Sequence, residues 1–201
     1  MVRGAVICGV EKATTSNLSQ ATATPAHYGV CVSERYSKIH HDEKDIGTHP
    51  ALGLQVAQGQ MLWMINRGDL ILSDDPHTVS QVIMTSFKEA DSKDRKLTVY
   101  SYPDDDDRPT TITNSLDGKH LPGHNFARSQ VANSSIVELK VVHALEYDLS
   151  EIPLKSLEKS KGKDGTYYSI RLKLSLTATS AGLDCTLSWG TTELASATEP
   201  W

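Results

Sequence analysis

The chain has 201 residues, a net charge of −5, and 38% hydrophobic residues. That length suffices for one domain with a buried core, and the modest hydrophobic share predicts long polar loops beside it. An acidic balance with no Lys/Arg-rich helix argues against nucleic acid or a membrane surface as partner, and no apolar run is long enough to span a bilayer.

The first segment, VRGAVICGVEKA, has helix-compatible composition, which predicts a short helix over 1–13. The run TTSNLSQATATP follows, all small and polar until Pro25, and predicts a linker over 14–26. From residue 27 to 201 the character is that of strands. HYGVCVSERY alternates Tyr28, Val30 and Val32 against Gly29, Cys31 and Ser33. MLWMINRGDLIL is apolar up to a turn at Arg67-Gly68-Asp69, and VSQVIMTSF is rich in β-branched residues. KLTVYSY sets Leu97 and Val99 against Thr98 and Tyr100, and ends at the aspartates of 104–107. A long loop is predicted there, before SIVELKVVHAL with Val137, Leu139 and Val141 on one face.

The strongest pattern comes last. Tyr168, Ile170, Leu172, Leu174 and Leu176 alternate with Ser169, Arg171, Lys173, Ser175 and Thr177. After a turn at Ser180-Ala181-Gly182, Leu183, Cys185, Leu187 and Trp189 alternate with Asp184, Thr186 and Ser188. One dry and one wet face on each limb predict an antiparallel hairpin packed on one side. The fold class expected is therefore mainly β: an antiparallel β-sandwich with a short N-terminal helix and long loops.

Motifs of chemistry are sparse. His40-His41-Asp42-Glu43 offers imidazole and carboxylate, but neighbours on an extended segment point to opposite sides, so a solvated loop is expected rather than a metal site. The aspartates at 104–107 lack the alternate ligands, central Gly and closing Glu of a calcium loop. There is no G-x-S-x-G elbow and no phosphate-binding G-x-x-x-x-G-K-[ST]. Cys8, Cys31 and Cys185 are too dispersed for a disulfide framework or a zinc site, which points to a reducing, cytoplasmic setting. No enzyme, and no catalytic or metal-ligating residue, is expected.

Taken in order, these segments resemble the C-terminal region of the seventy-kilodalton heat-shock chaperone family, in a divergent form. VRGAVICG is similar to the last helix of that family's ATPase domain, and HYGVCV to its first substrate-domain strand. MLWMINRGDLIL, VSQVIMTSF through Ser80-Gln81-Val82, and KLTVYSYPDD resemble the next three strands. SIVELKVVHALEYDLSEIPL is similar to the strand entering a Gly-Ile-Pro turn, here Glu151-Ile152-Pro153, and 168–189 to the final hairpin. The stretch 34–60 departs from the family as a much longer connection, and 104–134 is long as well.

The resemblance implies a domain that binds unfolded or extended polypeptide, with co-chaperones as further partners. It also implies that ATP would enter only through an ATPase domain upstream, of which 1–13 would be the remnant, so binding by this chain is expected to be passive. By the same resemblance, Val30, Ile83, Leu97 and Val99 would line a central apolar pocket, and Ser33 and Ser86 would stand where two residues arch over the peptide. Both are small and polar here, against the family's pattern. Alternation alone is equally satisfied if the four apolar residues are plain core, and a non-binding scaffold or regulatory β-sandwich is the other reading of the whole chain.

Overall fold

A computed structural model describes residues 21–103, 108–112, 126–130 and 136–201, the segments 126–130 and 136–138 as backbone only. The helix expected over 1–13, the first half of the linker and the aspartates of 104–107 lie outside the described residues.

The end of the expected linker is not a linker. Ala21–Ala23 forms a strand, β1, paired antiparallel with Leu70–Leu72, here β5. Thr24 then anchors the chain to the turn at residues 66–69: its amide donates to the Asp69 carbonyl at 3.0 Å, and its hydroxyl accepts the Asp69 N–H at 3.1 Å. Thr24 and Ala26 are buried. The composition is that of a flexible segment, but Ala and Thr alternate in it, and a β-branched threonine suits a strand position.

The larger sheet has the order β3-β4-β2-β7-β9-β8. Its strands are β2 (His27–Arg35), β3 (Ile46–Thr48), β4 (Gln55–Ile65), β7 (Asp94–Tyr102), β8 (Phe126–Gln130) and β9 (Ile136–Asp148). The connection expected at 34–60 is ladder at both ends: Arg35 pairs with Val56, and Glu34 with Ala57. What is left between β2 and β4 carries a 3-10 turn, Glu43–Asp45, and β3, which folds back onto β4 with Ile46 opposite Ala57. The polar letters of QVAQGQ hide this in the sequence, yet Val56 and Ala57 are buried. Gly29 is needed where β2 passes β4, because a Cβ there would lie 2.4 Å from the Leu62 carbonyl oxygen.

The smaller sheet is built on β11 (Gly165–Ala178). One edge of β11 is shared by β10 (Glu158–Gly162) and β12 (Gly182–Trp189); the other pairs with β6 (His77–Lys88). β13 (Thr192–Pro200) completes it beyond β12. The β11–β12 hairpin is the one its alternation predicts: Leu174 lies opposite Leu187 and Ala178 opposite Leu183. Leu172, Leu174, Leu183 and Leu187 have no exposed surface. At its turn, the Thr179 hydroxyl accepts the N–H groups of Ala181 and Gly182, and the Thr179 amide donates to the Gly182 carbonyl at 2.8 Å.

The two sheets form a sandwich. One core joins Val30, Met64, Ile65, Val99 and Leu145 of the larger sheet to Phe87, Ile170, Leu174, Leu183 and Leu187 of the smaller. A second, small cluster sits on the outer face of the larger sheet, where Met61, Tyr102 and Leu139 pack with Cys31, Trp63, Tyr100 and Ile112. Residues 108–112 run across it, held by Met61 N–H to the Thr110 carbonyl at 2.8 Å and Trp63 Nε1–H to the Pro109 carbonyl at 3.0 Å.

Candidate functional site

The six residues singled out from the sequence do not meet in one pocket. Val30 and Val99 are opposite each other on β2 and β7, both with no exposed surface, so they are core. Leu97, two residues along the same face of β7, is half-buried against that core. Ile83 belongs to the other sheet, opposite Leu172, and is likewise half-buried. Ser33 is exposed near the end of β2. Ser86 lies on the outer face of β6, its hydroxyl 2.9 Å from that of Ser169. The parity of a strand explains the last point: Ile83 and Ser86 are an odd number of residues apart, so they face opposite ways. That signal was legible in the sequence and speaks against the arch.

Ile83 does belong to a site of another kind, the edge of β6. Paired residues of a ladder share a face. The buried partners Leu176, Leu174, Leu172, Ile170 and Tyr168 therefore mark Val79, Gln81, Ile83, Thr85 and Phe87 as the inward face. Phe87 is buried there, while Val79 and Ile83 are half-buried and Gln81 is exposed. Val32 of β2 and Leu62 of β4 are half-buried against the same core. The flank between the sheets is thus apolar and incompletely closed.

The outward face of β6 carries Thr78, Ser80, Val82, Met84 and Ser86. Hydroxyl pairs tie it to β11: Thr78 with Thr177 at 3.0 Å, Ser80 with Ser175 at 2.9 Å, and Ser86 with Ser169. Between them Val82 and Met84 are 65% and 48% exposed, opposite Lys173 and Arg171. Among the described residues no strand pairs with the far edge of β6. Its 12 residues pair with β11 without a register shift, and from Thr78 to Phe87 there is no proline and no charged side chain. Bulges, prolines and charges are the usual protections of such an edge.

Other polar groups are occupied structurally. His41 Nδ1 accepts the Ser37 N–H at 2.9 Å and its Nε2 lies 3.6 Å from Glu34. The Arg67-Gly68-Asp69 tripeptide is a turn, with Gly68 at φ 85° and the Asp69 carboxylate accepting the Asn66 N–H at 2.7 Å. Among the described residues no three His, Cys, Asp or Glu side chains gather as metal ligands would. A cleft of about 510 Å³ is lined by Asp94, Arg95, Lys96, Glu146, Tyr147 and Asp148, with both signs of charge along its wall. Burial pushes the Cys31 thiol up, and burial with the nearby Asp184 and Glu199 carboxylates pushes Cys185 up to about 12, so both stay as unreactive thiols at neutral pH. No helix among the described residues is long and apolar enough to cross a membrane.

Comparison with protein-family models, curated proteins and solved structures returns no significant match.

Proposed function

We propose that this chain binds extended, apolar polypeptide segments by adding them as a strand to the edge of β6 that no described strand pairs. The observation that carries the reading is that edge itself: 12 residues in unbroken register, uncharged through its centre, with half-buried Val79 and Ile83 behind it. An extended peptide would gain main-chain hydrogen bonds along the edge, and every second side chain would turn toward the apolar flank. The resemblance in strand order to a chaperone's peptide-binding region supports the same class of ligand. It differs in where the ligand lies, since Val30 and Val99 are sealed in the core.

Binding of this kind is passive and needs no nucleotide, and client segments would be met in the cytoplasm, with co-chaperones as further partners. A scaffold without ligand is the competing reading, favoured by the complete closure at Val30 and Val99. A fluorescence titration with a short peptide rich in Leu and Ile separates the two. Saturable one-to-one binding is expected, weakened about tenfold or more by Gln81→Lys, which places a charge on the exposed inward face without touching the core. Absence of saturable binding by the unchanged chain would rule out the peptide reading in favour of the scaffold.

A further inference from the structure

The β6 edge is complementary to itself. In an antiparallel pair of identical strands, the choice of two-fold axis decides which side chains meet, and residues on the same face must meet each other. An axis through Ile83 brings Val82 opposite Met84 of the second copy, twice, and Ser80 opposite Ser86, twice. On the inward face it sets Ile83 against itself and Gln81 against Thr85. The charged end residue Lys88 then meets Thr78, so no like charges face each other. Moving the axis one residue, to Val82, sets Met84 against Ser80, Ile83 against Gln81 and Phe87 against His77, an apolar side chain against a polar one each time. An axis through Met84 sets Val82 against Ser86 and Gln81 against Phe87. Cross-strand pairs of like character are the ones that stabilise a ladder.

From this complementarity we infer that two copies of the chain pair along β6 about a two-fold axis through Ile83. The smaller sheets of the copies become one continuous sheet. Val82 and Met84, 65% and 48% exposed in the single chain, then cover each other across the new ladder. The hydroxyl pairs that already join β6 to β11 continue into it through Ser80 and Ser86. The strand is long enough for this, about 40 Å at ~3.4 Å per residue, and its uncharged centre puts no like charges against each other along the new ladder. A closed two-fold pair also satisfies the β6 edge without leaving a new one, so growth through β6 stops at the dimer. Peptide and second copy compete for the edge; this consequence, unlike the pairing, rests on the peptide reading above.

The test is sedimentation velocity on the full chain over a range of concentrations. A monomer–dimer equilibrium is expected, weakened about tenfold or more by Val82→Lys or Met84→Lys at unchanged melting temperature. A second measurement reads the register directly. Ile83→Cys should cross-link its copy under mild oxidation, because the residue sits on the axis, while Gln81→Cys and the unchanged chain should not. A monomer at every concentration, a dimer indifferent to both lysines, or cross-linking through Gln81→Cys instead would overturn the pairing. Addition of the Leu/Ile-rich peptide should return the dimer to monomers. A dimer that forms while the peptide fails to bind sinks the peptide reading and leaves the pairing standing. Peptide binding by a chain that never dimerises does the reverse. A dimer carrying peptide on both copies rejects the shared edge.

Discussion

Leu174 and Val99 are both fully buried, one near the middle of β11 and one at the crossing of β7 with β2, and they predict opposite kinds of damage. Leu174→Ala removes buried methyl groups from a core whose neighbours, in rigid ladders on both sides, can close in only partly. A loss of about 2–5 kcal/mol is expected, read from urea unfolding. Val99→Phe forces a ring into space already filled by Val30 and its surroundings, so about 1–3 kcal/mol of stability is lost to overpacking. Because Val99 faces no open slot, the folded fraction of this variant should bind the Leu/Ile-rich peptide as the unchanged chain does. A large fall in affinity at unchanged stability would place a ligand pocket at Val99 after all.

At the scale of elements, the sequence spoke clearly where strands have one dry and one wet face. The β11–β12 hairpin was legible to the residue because Leu172, Leu174, Leu183 and Leu187 all fall in one phase with polar partners in the other. Strands whose two faces are both covered, or both polar, were not. β4 opens in QVAQGQ before its apolar end MLWMI, and β13 reads TELASATEP; the first half of the one and the whole of the other carry too few large apolar residues to show a period, since their burial comes from neighbours they cannot announce. The candidate site was half legible. Ile83 was picked out, but as a pocket lining and not as part of an edge, because which strand ends a sheet depends on pairings 79 to 101 residues apart. The turn was read from Ser180-Ala181-Gly182, although the residue that organises it is Thr179. Its hydroxyl takes two main-chain N–H groups and lies 3.0 Å from the Gly182 carbonyl. Thr179→Ala should therefore cost about 0.5–1.5 kcal/mol, with Thr179→Ser recovering most of it, as measured by thermal melts.

The molecule as a whole is held by contacts across the seam between its sheets, and several of them carry protons. Tyr28 of the larger sheet and Cys185 of the smaller are both pushed up to about 12, chiefly by burial, with Glu199 adding to each. The ordinary ranges are ~8.5 for a thiol and ~10 for a phenol. The folded chain thus holds these protons more tightly than the unfolded one. Their contribution is complete below the unfolded values and is lost as pH rises through them toward about 12. Melting temperature should hardly respond to these groups at neutral pH and should fall from the ordinary thiol range upward. Thiol titration of the native chain should find Cys185 unreactive until that fall begins. Early reaction of Cys185 in an otherwise stable chain would contradict the seam described.

The position of β6 in the chain also sets a clock on its synthesis. Ser86 is joined to Ser169 and Thr78 to Thr177, separations of 83 and 99 residues. At a ribosomal pace of ~5–20 residues per second, β6 leaves the exit tunnel roughly 4–20 s before the strand that will pair with it. During that interval both of its edges are open, and the stretch from Thr78 to Phe87 has no charge or proline to keep nascent neighbours apart. The uncharged run that marks β6 in the finished domain therefore makes its own birth the moment of greatest exposure, and the speed of translation between residues 88 and 165 decides how long that moment lasts.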